Sequence, residues 1–447
     1  MNISSFKTIE KLIKPYQIYN LYHFRPVKRF CLDSRSIKPG DAFIALNGKY
    51  KDGHDFIKKA VKKGAVLVVS EKKIETKPKV PQFIVQDTIN ALEEIILFLR
   101  KKHKKVTVFA ITGSLGKTTT KEMLSFLLSP YRNVLKNKAT ENNIFGVAKT
   151  IFSYNNQDSI IFELGTNKAG EIKSLAKAVK PNLGVVTCIK PAHLVGLKDI
   201  KKIKKEKISL FEQNPKAKAV LNDDDKMLSG LRLKNKTFWY GKGKNNNLYY
   251  RLAKRKEEKV YFKILDKYDL VIPLRFESFI NNYLAAILAA HTLGISYRDL
   301  ISRINNFGNF PSMRMEKKTI GSYIILNDAY NANPYSFKQS LLTLRRFRLP
   351  KVVIAADMLE LGSKTAFYHR KLADQIYKTG CKYCITYGDN SKITKNQLKA
   401  LGYQNVFHFS SQKKIALFLK KKLKNKRYLI FLKGSRKMKL EKIVKYL

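Results

Sequence analysis

The residues best equipped for chemistry lie between positions 113 and 207. Gly113-Ser114-Leu115-Gly116-Lys117-Thr118-Thr119 follows the apolar run 106–112 and precedes a helix-forming stretch. In such a loop the backbone N–H groups and the helix N-terminus cradle phosphates. Lys117 reaches the terminal phosphates, and the Thr118 hydroxyl suits Mg²⁺. The full phosphate-loop pattern wants a Gly five residues before Gly116, where this chain has Ile111; the shorter GxxGKT form remains. Gly113, Ser114, Gly116, Lys117, Thr118 and Thr119 are therefore candidate nucleotide contacts. Glu163 ends the apolar run 159–162. A carboxylate there either faces a crevice, where it would hold Mg²⁺, or sits on a surface turn. His193, after the run 183–189, reads as a metal ligand or a loop histidine. Cys381-x-x-Cys384 has no second CxxC nearby, and both read as free structural thiols.

Stepping outward, apolar runs alternate with helix-forming segments around these residues. That alternation predicts α/β architecture with a doubly wound, mostly parallel central sheet and its site at the strand carboxyl ends. Three regions separate. Residues 1–83 form a small α/β unit with strands at 42–46 and 66–69 and a helix over 55–63. Residues 84–312 form the central domain, with 84–105 as a connector and antiparallel strands within 230–275. Residues 313–447 form a third, Rossmann-like α/β unit with helices near 336–347, 364–379 and 412–424.

With 447 residues, 44% hydrophobic, the chain can bury several cores, which excludes disordered, collagen-like and disulfide-stapled classes. Four cysteines are too few for a disulfide framework, and the N-terminus has no continuous apolar signal region, so a cytoplasmic setting is expected. The stretch 280–297 carries no formal charge, but its Asn281, Asn282, His291 and Gly294 mark a buried helix, not a membrane span. The net charge is +54, and of 88 cationic residues only 18 are Arg. Scattered Lys fits compositional drift better than nucleic-acid recognition, which favours clustered Arg forks. A nucleic-acid-stimulated phosphate-loop ATPase is the alternative from another functional class.

The ordered strings GSLGKTTT, TENNIFG, FELGTNKAGEI, PAHL and LNDAYNANPYSF resemble the Mur ligases, ATP-dependent amide ligases of bacterial cell-wall assembly. Asp33-Ser34-Arg35-Ser36-Ile37, Asp52-Gly53-His54, Asp357-Met358-Leu359-Glu360-Leu361-Gly362 and Lys433-Gly434-Ser435-Arg436 extend the resemblance over nearly the whole chain. Within the family, these strings resemble the member type that adds D-Ala-D-Ala to a UDP-N-acetylmuramoyl-tripeptide through an acyl phosphate. The type that adds the third amino acid is the runner-up, but its Asp-Asn-Pro-Arg-like string is absent.

The resemblance implies roles residue by residue. Lys117 would hold the β- and γ-phosphates. Thr118, Thr140 and Glu163 would hold one Mg²⁺, and His193 a second. Asn142 and Asn143 would place the γ-phosphate and the activated carboxyl group. Lys207 would be carbamylated, turning a cation into an anion that supports Mg²⁺. Asn282 would contact ATP, Arg314 would reach one of its phosphates, and Asp328, Asn331 and Asn333 would line the nucleotide and the moving interface. Asn333, Lys433, Ser435 and Arg436 would meet ATP or the dipeptide, and Ser34, Arg35, Asp52 and His54 the uridine and diphosphate. A monomer is implied, with no obligate nucleic acid and no membrane span.

Three departures from the family pattern stand out. Phe279 replaces an Asn that contacts adenine, Met313 replaces a Gly before Arg314, and Ala356 replaces a Gly before Asp357. They touch adenine contacts and turn geometry more than phosphate chemistry.

Overall fold

The computed structural model describes every residue except 1, 2, 4, 49, 50, 139, 140, 193 and 425. Thr140 and His193 thus lie outside the described residues.

The first sheet holds β1 (Gln17–Tyr19), β2 (Arg29–Cys31), β3 (Asp41–Ile44), β4 (Leu67–Ser70) and β5 (Gln82–Ile84), in the order β1-β5-β4-β3-β2. Only the β1–β5 pair is antiparallel. The expected helix over 55–63 is a 3₁₀ turn, Gly53–Phe56, running into the helix Ile57–Lys62. Ile57, Ala60 and Val61 are buried at helical spacing.

The connector is less a tether than a piece of core. After β5 comes the helix Thr88–Lys102, capped by Asp87, whose carboxylate accepts from the backbone N–H groups of Ile89 and Asn90 at 2.6 and 3.0 Å. Its buried Ala91, Leu92, Ile95, Ile96 and Leu99 recur every three to four residues. The helix packs on Phe6–Ile13 of the first domain and on Ile144–Phe152 and Glu171–Val179 of the second.

The central sheet contains β6 (Thr107–Thr112), β7 (Val134–Lys136), β8 (Ser159–Glu163), β9 (Leu183–Val186), β10 (Lys218–Asn222), β11 (Thr237–Gly241), β12 (Leu248–Lys256), β13 (Lys259–Ile264) and β14 (Tyr268–Pro273). Their order is β14-β13-β12-β11-β10-β9-β6-β8-β7. The antiparallel expectation holds for β12, β13 and β14. β11 instead pairs in parallel with both β10 and β12: the segment 223–236 carries the chain back to start β11 alongside β10, and the loop 242–247 does the same for the short β11–β12 pair. β6 lies between β9 and β8; the connection leaving β6 runs toward β7 and the one leaving β9 runs the other way toward β10, so the two diverge and open a crevice at the strand carboxyl ends.

The uncharged stretch forms the helix Ile280–His291, buried from Tyr283 through Ala290 against the helix Lys117–Leu128 and β10 and β11. Among the described residues, no helix is long and apolar enough to cross a membrane.

The third sheet holds β15 (Glu316–Ile320), β16 (Tyr323–Asn327), β17 (Lys351–Ala356), β18 (Tyr383–Tyr387), β19 (Val406–Phe409) and β20 (Tyr428–Lys433), ordered β15-β16-β20-β17-β18-β19. The four buried strands were legible as apolar runs. The edge strands β15 and β19 were not, since an edge needs little hydrophobic signal and β15 carries two lysines. One apolar core runs continuously through all three domains, from Phe30 through Phe162 to Phe431.

Candidate active site

β6 ends at Thr112 and the phosphate loop begins. Gly113 has φ +142°, and a Cβ there would stand 2.0 Å from Thr187 Oγ1. Gly116 has φ +81°, and its Cβ would stand 2.1 Å from Asn282 Nδ2. Both positions exclude any side chain, so the loop can press its backbone toward a ligand. Lys117 opens the helix Lys117–Leu128 and donates from Nζ to Gly113 O at 2.8 Å, folding over its own loop. Burial pushes its pKa down, while Glu163 pulls it up. Ser114 Oγ donates to Lys190 O at 2.8 Å, tying the loop to the segment after β9. Asn282 donates to Thr120 Oγ1 at 3.0 Å and to Gly116 O at 3.3 Å, so its amide braces the loop from the next helix.

Glu163, buried at the end of β8, accepts from Asn142 Nδ2 at 3.1 Å through Oε1. Its Oε2 is buried with no hydrogen-bond partner. An ionised oxygen left that way is costly unless a cation completes it, which is the condition a Mg²⁺ site needs. Lys121 Nζ lies 3.9 Å from the same oxygen and donates to Asn137 O at 2.6 Å. Lys121 is fully buried, and the sequence reading missed it. The signal was present: Lys121 is four residues beyond Lys117, on the same helical face.

The third domain closes the cleft. Arg314 reaches across and donates from Nη2 to Thr118 Oγ1 at 3.1 Å, its guanidinium lying 4.1 Å from the Tyr330 ring centroid. Its Nε is buried without a partner. Asp328 and Lys433 form a buried ion pair at 2.5 Å, and Ser340 Oγ donates to Asp328 at 2.6 Å. Burial pushes the Lys433 pKa down and Asp328 opposes the shift. Lys190 sits 4.8 Å over the Tyr335 ring and pairs with Asp225 at 2.8 Å, a second link between the domains.

The structure thus gathers Ser114, Gly116, Lys117, Thr118, Thr119, Asn142, Glu163, Asn282, Arg314, Asp328, Asn331, Asn333 and Lys433 around one cleft. Asn333 spends its side chain on the N-cap of the helix Pro334–Leu344, accepting from Ser336 N at 2.9 Å. Asn331 Oδ1 accepts from Ala332 N at 2.9 Å.

Other candidates fall outside the lining. Asn143 caps the helix Ile144–Phe152 by accepting from Gly146 N at 3.1 Å. Ser435 Oγ accepts from Leu359 N at 2.9 Å, and Arg436 pairs with Glu441 at 2.8 Å. Lys207 is buried on the helix Ile200–Ile208, and burial together with the Lys117 charge pushes its pKa down to about 7. The neighbouring Glu206 accepts from Gly170 N and Ile172 N at 2.6 and 2.7 Å, fixing this helix to the segment after β8.

In the first domain, His54 Nδ1 and Asp52 Oδ1 are 2.5 Å apart, and Glu71 N donates to His54 Nε2 at 2.9 Å. Arg35 is exposed and folds onto Asp33, holding that carboxyl at about 2; Ser34 beside it is buried.

Comparison with known proteins fits this geometry. A ligase of Buchnera aphidicola named UDP-N-acetylmuramoyl-tripeptide–D-alanyl-D-alanine ligase is 31% identical over 440 residues, covering 94% of this chain and 92% of that one. The chain belongs to the Mur ligase family. A Rickettsia prowazekii protein of the same name is 31% identical over 93% of this Mur ligase and 94% of its own length. The family models match in three pieces: the catalytic domain at 27–105, the middle domain at 111–290 and the glutamate ligase domain at 313–436. The fold agrees with a MurF structure from Acinetobacter baumannii (TM-score 0.89, 24% identity, 99% of this chain and 98% of that one). It agrees also with MurF ligase of Thermotoga maritima in complex with ADP (TM-score 0.82, 25% identity, 96% and 98%).

Two departures from the family pattern have visible consequences. Met313 has φ +57°, so this Mur ligase keeps a left-handed turn without the glycine that relaxes it. Phe279 lies beside Phe276 and Phe310, whose rings stack at 3.5 Å, so an aromatic cluster stands where the family has an amide.

Proposed function

We propose that this chain is the ATP-dependent ligase that joins D-Ala-D-Ala to UDP-N-acetylmuramoyl-tripeptide, yielding the UDP-linked pentapeptide, ADP and phosphate. The observation that carries this reading is the cleft itself. A phosphate loop, a carboxylate whose buried Oε2 has no hydrogen bond, and cations from a second domain converge there. The names carried by relatives over nearly their whole lengths support it.

In this reading Lys117 and the loop N–H groups bind the β- and γ-phosphates of ATP. The tripeptide carboxylate attacks the γ-phosphorus, an acyl phosphate forms and ADP leaves. The dipeptide amine then attacks the acyl carbon, and phosphate leaves. Such chemistry is mostly positioning and charge neutralisation. Asn142, held by Glu163, orients the transferred group. Arg314, Lys433 and Asn331 bring cationic and polar groups from the third domain as it closes. Asn282 holds the loop in shape. Bound Mg²⁺ would supply neutralisation of the phosphate oxygens. Glu163 and Thr118 fit one ion, and Thr140 and His193 are assigned to the two-ion set on the resemblance alone.

Lys207 is proposed to be carbamylated. A buried amine whose pKa is about 7 is largely neutral at pH 8, and only the neutral amine attacks CO₂. Ser34, Arg35, Asp52 and His54 would take the uridine and diphosphate; Asn143 and Asn333, as helix caps, and Ser435 and Arg436, held by Leu359 and Glu441, would shape the walls around the substrates. The four cysteines are free, in keeping with a reducing, cytoplasmic setting.

The test is phosphate release from ATP and Mg²⁺ by purified protein. Release is expected only when UDP-N-acetylmuramoyl-tripeptide and D-Ala-D-Ala are both present, with the pentapeptide seen by mass. ATP hydrolysis that needs no dipeptide and rises with added RNA would overturn the reading.

A further inference from the structure

The charge of this protein is not spread evenly. From position 390 to position 440 the chain has no Asp or Glu and fifteen Lys or Arg. It is the longest acid-free run in the sequence. The helix Gln412–Leu423 lies inside it. Ile415, Ala416, Leu419 and Leu423 face the core. The opposite face presents Lys413, Lys414, Leu417, Lys420 and Lys421, and Lys424 follows at the C-cap; all are exposed. These positions recur at helical spacing, so they form one stripe about 16 Å long. Among the described residues, the ion pairs of this region are Lys392–Asp389, Lys433–Asp328 and Arg436–Glu441, which leave the five stripe lysines without a carboxylate. Leu417, 58% exposed, sits in the middle of them. The helix Glu441–Tyr446 packs alongside and adds exposed Lys442, Lys445 and Tyr446. None of these residues lines the catalytic cleft.

We propose that this stripe is a docking surface for an anionic lipid bilayer. Compositional drift accounts for many scattered lysines, but not for a 51-residue absence of acids centred on one helix face. The chemistry favours lipid over nucleic acid. The charges of the stripe are all Lys, point charges with no Arg fork to read phosphate or base geometry, and the exposed ring beside it, Tyr446 on the neighbouring helix, is not a series of rings interleaved with the lysines for base stacking. It carries instead an exposed Leu amid lysines, whose long stems let the charges rest on headgroups while the apolar side chain enters the interface. Each Lys near an anionic leaflet strengthens partitioning by roughly fivefold.

The experiment is co-sedimentation of the full chain with vesicles of phosphatidylcholine, with and without 30% phosphatidylglycerol, at about 150 mM salt, near the cellular screening length. Wild-type protein is expected to bind only the anionic vesicles. The variant Lys413→Gln/Lys420→Gln/Lys421→Gln is expected to bind roughly 100-fold more weakly, with unchanged thermal midpoint and ligase activity. Leu417→Gln is expected to weaken binding severalfold without any charge change. The charge-matched control, Lys58→Gln/Lys59→Gln/Lys62→Gln on the exposed side of another helix, is expected to stay within a few fold of wild type. Equal losses in the two triple variants would overturn the proposal in favour of diffuse charge. So would no binding to anionic vesicles, or binding of RNA that alone depends on the stripe.

Discussion

Arg314 of the third domain donates to the hydroxyl of Thr118 in the phosphate loop at 3.1 Å, across 196 residues of sequence. The same hydroxyl is the one proposed for Mg²⁺, so the arginine and the metal–nucleotide would meet at one oxygen. In the proposed reading, loading the site would turn Arg314 from Thr118 toward phosphate oxygens, whose geometry its planar donors match. Arg314→Ala is expected to lower kcat/KM for ATP by about 100-fold, the usual cost of losing a charged transition-state donor. The thermal midpoint should move little, because this contact is partly exposed. An unchanged kcat/KM would remove Arg314 from the reaction.

Glu163→Gln keeps the shape of the side chain but removes its charge. The hydrogen bond from Asn142 can persist, while Oε2, which accepts no hydrogen bond, becomes an amide nitrogen that attracts no cation. The variant should lose at least about 100-fold in activity and need a higher Mg²⁺ concentration for half-maximal rate. A Mg²⁺ titration with an unchanged midpoint would separate Glu163 from the metal.

Lys207 carries a pH signature. Its amine has a pKa of about 7 in the fold against 10.5 in the unfolded chain. Between those values the unfolded chain binds the extra proton, so the unmodified fold gains stability as pH rises through that window. Carbamylation forms an N–C bond to CO₂ and releases a proton, so it too is favoured above pH 7. Protein freed of CO₂ should be weakly active and recover on adding bicarbonate, more at pH 8 than at pH 6. A carbamate signal from ¹³C-bicarbonate should appear in wild type and be missing in Lys207→Ala. Full activity of Lys207→Ala, indifferent to bicarbonate, would reject the modification.

Asp328→Ala leaves Lys433 buried and charged without its partner. The expected cost is about 3–5 kcal/mol of stability. Adding Lys433→Met should recover most of that stability but not the ligase activity. Chemical denaturation of the wild type and the two variants measures the difference.

Met313→Gly relieves a left-handed turn. The expected gain is about 1 kcal/mol, since a side chain in that conformation is disfavoured by 1–2 kcal/mol, less the extra backbone freedom glycine gives the unfolded chain. A thermal midpoint at or below that of wild type would show that Met315, also left-handed, or the Met313 side-chain contacts dominate the turn.

Much of the cleft was legible before folding because its parts are local. A phosphate loop needs two glycines, a lysine and a hydroxyl within seven residues, and the chain writes them consecutively from Gly113 to Thr119. Buried parallel strands write continuous apolar runs, so β6, β8, β9, β17 and β20 were readable, as were the three domains. Edge strands β15 and β19, and the parallel direction of β11, were not. An edge carries weak hydrophobic signal, and direction depends on how a connection crosses the sheet.

The type of chemistry was determined by residue identity: a phosphate cradle, a carboxylate after a strand, and lysines placed to meet anions. The family follows from the order of those strings. What only the tertiary structure decided is which of these groups share a space and what each side chain is already doing. It left Oε2 of Glu163 without a hydrogen bond, set Lys121 3.9 Å from it and carried Arg314 to Thr118. It spent Asn143 and Asn333 on helix caps and turned Lys207 into a buried amine. It also drew the lysines at 413 to 424 into a single stripe. The reason is physical. A side chain's type sets which interactions it can make, but partners far apart in sequence are chosen by packing, and burial then sets the cost of leaving any polar atom unpaired.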